Sequence, residues 1–93
     1  VSNAFVIFFG IILKKEVYML LLYVLEGCPY CKKVITHLEE KNIEHRRLDV
    51  NDPVNMDELL HLGREDQVPF LVDTEHNVKM YESDEIIQYI DTL

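Results

Sequence analysis

Tyr18-Met19-Leu20-Leu21-Leu22-Tyr23-Val24-Leu25-Glu26-Gly27-Cys28-Pro29-Tyr30-Cys31 is the stretch on which the fold turns. Residues 18–25 form a near-continuous apolar run, the pattern of a strand buried on both faces. Glu26-Gly27-Cys28-Pro29 reads as a turn. Residues 30–41 read as a helix, with Val34, Ile35 and Leu38 on one face and Lys32, Lys33, Glu39 and Glu40 on the other. Two cysteines therefore stand where a strand hands over to a helix. Asn42 is the expected C-cap.

Downstream the alternation continues. Residues 43–50 are weaker strand material, suited to a place near a sheet edge. Asp52 caps a second helix, Pro53 fits its first turn, Met56, Leu59, Leu60 and Leu62 give it an apolar face, and Gly63 closes it. Residues 68–72 form a strand whose Pro69 blocks one ladder bond. A loop over 74–77 and a return strand over 78–81 complete a hairpin. Ser83 is expected to cap the last helix, with Asp84 and Glu85 in its first turn and Ile86, Ile87, Tyr89 and Ile90 at helical spacing. The order βαβαββα predicts an α/β fold, a four-stranded mixed sheet with helices on both faces.

Length and charge bound the function. The chain has 93 residues, nine Lys+Arg against seventeen Asp+Glu, and a net charge of −8. That is one domain, and the acidic balance argues against nucleic acid and against an anionic membrane surface. Two cysteines are too few for a disulfide scaffold. Residues 5–13 are apolar, interrupted only by Gly10. The run is too short to span a membrane as a helix, and its β-branched and aromatic content suits a strand. Ser2-Asn3-Ala4 has the look of a tag-cleavage remnant, and Met19 is a candidate natural start. Residues 1–17 are thus read as an apolar extension to a domain over 18–93. The extension is expected to add a strand and to pair with a second chain as a homodimer.

Cys28-Pro29-Tyr30-Cys31 carries the chemistry. Thiol–disulfide exchange is performed by the thiolate, and a helix N-terminus stabilises negative charge there. Lys32 and Lys33 add positive charge nearby. Pro29 stiffens the turn. Cys28 is assigned as nucleophile, because its sulfur lies beside the free N–H groups, and Cys31 as the more buried resolving thiol. The alternatives are two structural thiols or half of a zinc site. The latter would have to recruit two of His37, His45, His61 and His76, none of which forms a ligand-spaced pair. No metal is expected.

The Cys-Pro-Tyr-Cys motif after an apolar strand, with Val68-Pro69 before a later one, resembles glutaredoxin over residues 18–93. The resemblance implies a thioredoxin-like fold, a cis Pro69 facing the active-site cysteine, and a Val68 backbone that pairs with the cysteinyl part of glutathione. Residues 81–90 are also similar to the glutathione transferase N-terminal domain, where a Glu-Ser pair, here Glu82-Ser83, holds the γ-glutamyl end. Many glutaredoxins carry Lys three residues before the first cysteine, and this chain has Leu25. Arg64 and Gln67 are the substitutes considered for the glycyl carboxylate, and Tyr30 is expected at the rim. The implied activity is glutathione-dependent reduction of protein disulfides or glutathione mixed disulfides in the cytoplasm. Glutathione is the reductant, and disulfide-containing or glutathionylated proteins are the partners. The rivals are an iron–sulfur cluster carrier, which Pro29 disfavours, a glutathione transferase-like binding module, and a thioredoxin-type reductase.

Overall fold

The computed structural model describes residues 19–93. The expected N-terminal strand and the dimer contact through it fall on residues 1–18, outside the described residues. The elements are β1 (Leu20–Val24), α1 (Pro29–Glu40), β2 (Arg46–Asp49), α2 (Pro53–Gly63), β3 (Phe70–Asp73), β4 (Val78–Tyr81) and α3 (Ser83–Ile90). The sheet order is β2-β1-β3-β4. β1 runs parallel to β2 and antiparallel to β3, and β3 runs antiparallel to β4. This is the mixed four-stranded sheet predicted, with the weak strand at an edge.

The period-two alternation of β1 divides the core. Leu20 and Leu22 pack with Val34, Leu38, Leu71, Ile86 and Ile90, on the face covered by α1 and α3. Tyr23 packs with Val50, Leu59, Phe70 and Val72, on the face covered by α2. Burial of such side chains contributes roughly 1.5–3 kcal/mol each. Leu60, expected on the inner face of α2, is exposed. One residue past Leu59 on a helix is a turn of about 100°, which carries it out of the stripe.

Two helix ends differ from expectation by one residue. The cap of α1 is Lys41, and Asn42 follows in the left-handed region at φ 55°. The Asn42 N–H donates to the Glu39 carbonyl at 3.1 Å and the Ile43 N–H to that of Leu38 at 3.0 Å, which is a Schellman ending. Arg64, at φ 72°, closes α2, and Gly63 belongs to the helix. Gly63 is needed for space: a Cβ there would lie 2.0 Å from the Tyr81 hydroxyl and 2.9 Å from Phe70 Cζ. That hydroxyl accepts from the Glu65 N–H at 3.2 Å and donates to the Glu65 carbonyl at 2.9 Å. β4 thereby pins the loop that leads into β3.

At the far end of β3 the buried Asp73 carboxylate accepts the N–H of Glu75 at 2.9 Å and of His76 at 3.2 Å. It also accepts from His76 Nδ1 at 2.8 Å and from the Tyr89 hydroxyl. Burial pushes the carboxyl up, but the bonds from Tyr89 and His76 outweigh it and hold it below the ordinary value. Burial, together with the Asp73 bond, raises Tyr89 to about 12.

Candidate functional site

The register Tyr23↔Phe70 places the end of β1 and the start of β3 at one end of the sheet. The pairing Phe70↔Tyr81 adds the end of β4. Three connections therefore meet there: the turn into α1, the loop ahead of β3 and the step from β4 into α3. This end carries the sequence-predicted site residues.

The turn into α1 is closed by the Cys28 N–H donating to the Leu25 carbonyl at 3.2 Å, with Gly27 at φ +88°. No heavy atom lies within 4 Å of a Cβ built on Gly27, so the backbone angle alone requires glycine. Cys28 is the N-cap of α1, and Pro29 is its first residue. The Cys31 N–H donates to Cys28 Sγ at 3.3 Å. The sulfur thus occupies the place of a capping oxygen, where the backbone donors of the first turn favour negative charge. Cys31 is 2% exposed, and burial, with neighbouring Cys28 adding to it, pushes its thiol up to about 12. Both are free thiols. The two cysteines are therefore unlike: one half-buried with a donor on its sulfur, the other buried and held protonated. Of the two lysines, Lys33 is engaged: its Nζ lies 2.5 Å from Asp84 Oδ1 and ties α1 to α3.

The Val68–Pro69 peptide is cis, as the glutaredoxin resemblance implies. Pro69 precedes β3 and so takes no ladder bond from it, unlike the strand position expected. A cleft of about 320 Å³ is lined by Tyr30, Gln67, Val68, Pro69, Glu82, Ser83 and Asp84. Tyr30 is 62% exposed at its rim. Gln67 Nε2 donates to Glu82 Oε2 at 3.2 Å, joining the loop before β3 to the start of α3.

Ser83 is not the N-cap. That place belongs to Glu82, at φ 74° and ψ 112°, whose side chain makes no capping bond. The Glu82 carbonyl accepts the first helical bond, from the Ile86 N–H at 2.9 Å, so Ser83 is already inside the helix. A non-glycine residue at this angle is strained, and such strain collects at binding sites. Ser83 is 8% exposed, and no described residue hydrogen-bonds to its hydroxyl. Buried hydroxyls are normally paired. A buried, unpartnered donor beside the free N–H groups of a helix start fits an anionic ligand group such as a carboxylate.

Arg64 does not line this cleft. It ends α2 three residues before Gln67, and its N–H donates to the Leu60 carbonyl at 3.0 Å. Asp84 does line it, a residue the sequence offered only as a first-turn acid. Its pairing with Lys33 spans 51 positions and left no local signal. Of the histidines, His37 contacts Asp91 at 2.7 Å, His45 accepts from Arg47 at 3.1 Å and His76 contacts Asp73. Among the described residues no group of three or more His, Cys, Asp or Glu could hold a metal ion, and no helix is long and apolar enough to cross a membrane.

The family model for the glutathione S-transferase N-terminal domain matches residues 22–93. The glutathione transferase Omega 3C of Trametes versicolor superposes with a TM-score of 0.70 at 27% identity, over 78% of this chain and 32% of that one. The trimeric glutathione transferase TDR1 of Leishmania gives 0.65 at 31% identity, over 78% of this chain and 16% of that one. The glutaredoxin of Archaeoglobus fulgidus gives 0.66 at 15% identity, over 82% and 89%, a likeness of fold. This chain spans about a third or less of the two transferases. No curated protein matches it.

Proposed function

This chain belongs to the glutathione S-transferase N-terminal-domain family, within the thioredoxin-like superfamily, and from that premise we propose that it is a glutathione-dependent thiol–disulfide oxidoreductase. The observation that carries the reading is the inequality of the two thiols. Cys28 caps a helix with an N–H on its sulfur, and Cys31, buried, stays protonated at neutral pH. In the proposed cycle the Cys28 thiolate attacks the glutathione sulfur of a mixed disulfide. The S–S bond breaks, and the target leaves as a thiolate that takes up a proton. A second glutathione thiolate then attacks the Cys28–glutathione disulfide, releasing oxidised glutathione and regenerating Cys28. This route consumes one free glutathione, and the other half of the oxidised glutathione comes from the mixed disulfide. With a protein disulfide, Cys31 loses its proton, displaces the target from Cys28 as a dithiol and closes a Cys28–Cys31 disulfide, which two glutathiones then reduce, supplying the two electrons and leaving as oxidised glutathione.

The γ-glutamyl carboxylate is assigned to the Ser83 hydroxyl and the first-turn N–H groups of α3, with Glu82 near the α-amino group. The cysteinyl backbone is assigned to Val68, beside Pro69, and the ligand packs against Tyr30. The kinship with proteins described as glutathione transferases supports glutathione as the ligand. A reducing compartment such as the cytoplasm would supply it. The 18–93 unit is the proposed catalytic domain, with residues 1–17 an appendage that associates with a second chain.

The test is a glutathione-coupled reduction assay on a glutathionylated substrate. Cys28→Ser is expected to lose turnover by more than about 100-fold, while Cys31→Ser keeps much of it, since the monothiol route needs one nucleophile. Equal loss in both variants would sink the role assignment. The family match favours a second reading, a glutathione-binding module that presents glutathione to an electrophile. In that case the wild type would conjugate an electrophilic acceptor and leave disulfides intact.

A further inference from the structure

The charges around the cleft do not suit every part of glutathione. Among the described residues the lining holds two carboxylates, Glu82 and Asp84, and no lysine or arginine. The nearby cation Lys33 is already paired with Asp84 at 2.5 Å. Arg64 stands outside the lining, and it is followed by Glu65 and Asp66, both exposed, ahead of Gln67. Leu25, whose carbonyl accepts the Cys28 N–H in the turn before α1, is 38% exposed and is followed by exposed Glu26. The chain as a whole carries a charge of −8.

This inference rests on the glutathione reading above. With the γ-glutamyl carboxylate taken by Ser83 and the start of α3, and the cysteinyl backbone taken by Val68, the ligand's C-terminal end projects away from α3. It meets no lysine or arginine among the described lining residues, and the loop that brings Gln67 to the cleft carries exposed Glu65 and Asp66 just ahead of it. An uncompensated carboxylate next to like charges weakens binding. We propose that this cleft prefers γ-glutamyl thiols whose C-terminal carboxylate is neutralised, as an amide, an ester or an amine conjugate, over free glutathione. Leu25, on the turn that presents Cys28, offers that terminus no charge.

The effect belongs to exposed charges, which shift an equilibrium by up to about fivefold apiece. The experiment compares three reductants with the full chain: glutathione, its glycyl ethyl ester and its glycyl amide, each reducing the same small uncharged disulfide. The expected result is a KM for ester and amide roughly threefold or more below that for glutathione, at similar kcat. The gap should narrow in about 0.5 M salt, where the screening length falls to a few ångströms. Leu25→Lys is expected to lower the KM for glutathione and leave that for the ester unchanged. Turnover with glutathione at an equal or lower KM than its ester overturns the preference while leaving the oxidoreductase reading intact. Absence of turnover with all three thiols overturns both.

Discussion

The two buried polar residues among those described, Asp73 and Ser83, sit at opposite ends of the sheet and are treated in opposite ways. Asp73, 3% exposed, has each carboxylate oxygen engaged, by two backbone N–H groups on one and by His76 and Tyr89 on the other. Ser83, 8% exposed, has no partner for its hydroxyl among the described residues and follows a strained Glu82. The contrast is physical. A buried polar group left without a bond costs about 1–3 kcal/mol. A fold meets that cost internally where the group serves structure, and leaves it to be met by a ligand where the group serves binding. The end that holds the hairpin together is closed, and the end with the cis proline and the two thiols is open.

The strongest test of this contrast is Asp73→Ala. It strands the Tyr89 hydroxyl and two backbone N–H groups, so a loss of about 3 kcal/mol in a denaturant titration is expected. Disulfide turnover below the transition should stay within about twofold of wild type. A stable variant with damaged turnover would reverse the assignment of the two ends.

Gly63→Ala comes next, at about 2 kcal/mol, the cost of overpacking a tight contact. The new methyl would displace Tyr81 and Phe70, and with Tyr81 the loop held through Glu65. A raised KM for glutathione should accompany the lower melting temperature, because that loop carries Gln67 and Val68 into the cleft. A lower melting temperature with an unchanged KM would mean that the loop keeps its place without Tyr81.

Ser83→Ala sharpens the contrast from the other side. No protein bond is lost, so stability should change by less than about 0.5 kcal/mol. Glutathione affinity should fall about tenfold, the value of one hydrogen bond to a charged group. Calorimetry of glutathione binding to the Cys28→Ser background measures this without turnover. Large destabilisation with unaltered affinity would make Ser83 a structural residue.

The smallest effect is a pH profile of the closed end. Asp73 is held below its ordinary 3.8, so its contribution is fully present above that value and is lost as pH falls through the lower folded value. His76 is raised above 6.5 by its bond to Asp73, so its contribution is fully present below 6.5 and is lost as pH rises through the higher folded value. Stability from this pair should therefore peak between about 4 and 6.5. Melting temperatures across pH should show that plateau, with Asp73→Asn flattening its acid limb and His76→Gln its upper limb. A profile unchanged by either variant would mean that the pair contributes nothing.

Much of this was legible beforehand because it is written in local chemistry. The apolar run of β1, the Asp52-Pro53 helix start and the two-cysteine turn are each set by neighbours in sequence. Three expectations slipped where a local rule met a distant contact. Gly63 looked like a helix terminator because glycine often is one, but its missing side chain answers to Tyr81. Ser83 looked like a cap because serine often is one, but Glu82 takes the cap and leaves the hydroxyl for the cleft. Arg64 looked like an anion anchor because of its charge, but the end of α2 holds its backbone outside the lining.

The sequence by itself therefore determined the order of elements, the division of apolar side chains between two faces, and the placing of Cys28 at a helix start. Those depend on periodicity and capping, which act over a few residues. Only the tertiary structure decided that Cys31 is buried enough to stay a thiol, that Lys33 is spent on Asp84, and that Ser83 faces a cleft with no lysine or arginine among its described lining residues. Burial and pairing are properties of what packs against a residue, and here the packing partners lie up to 51 positions away.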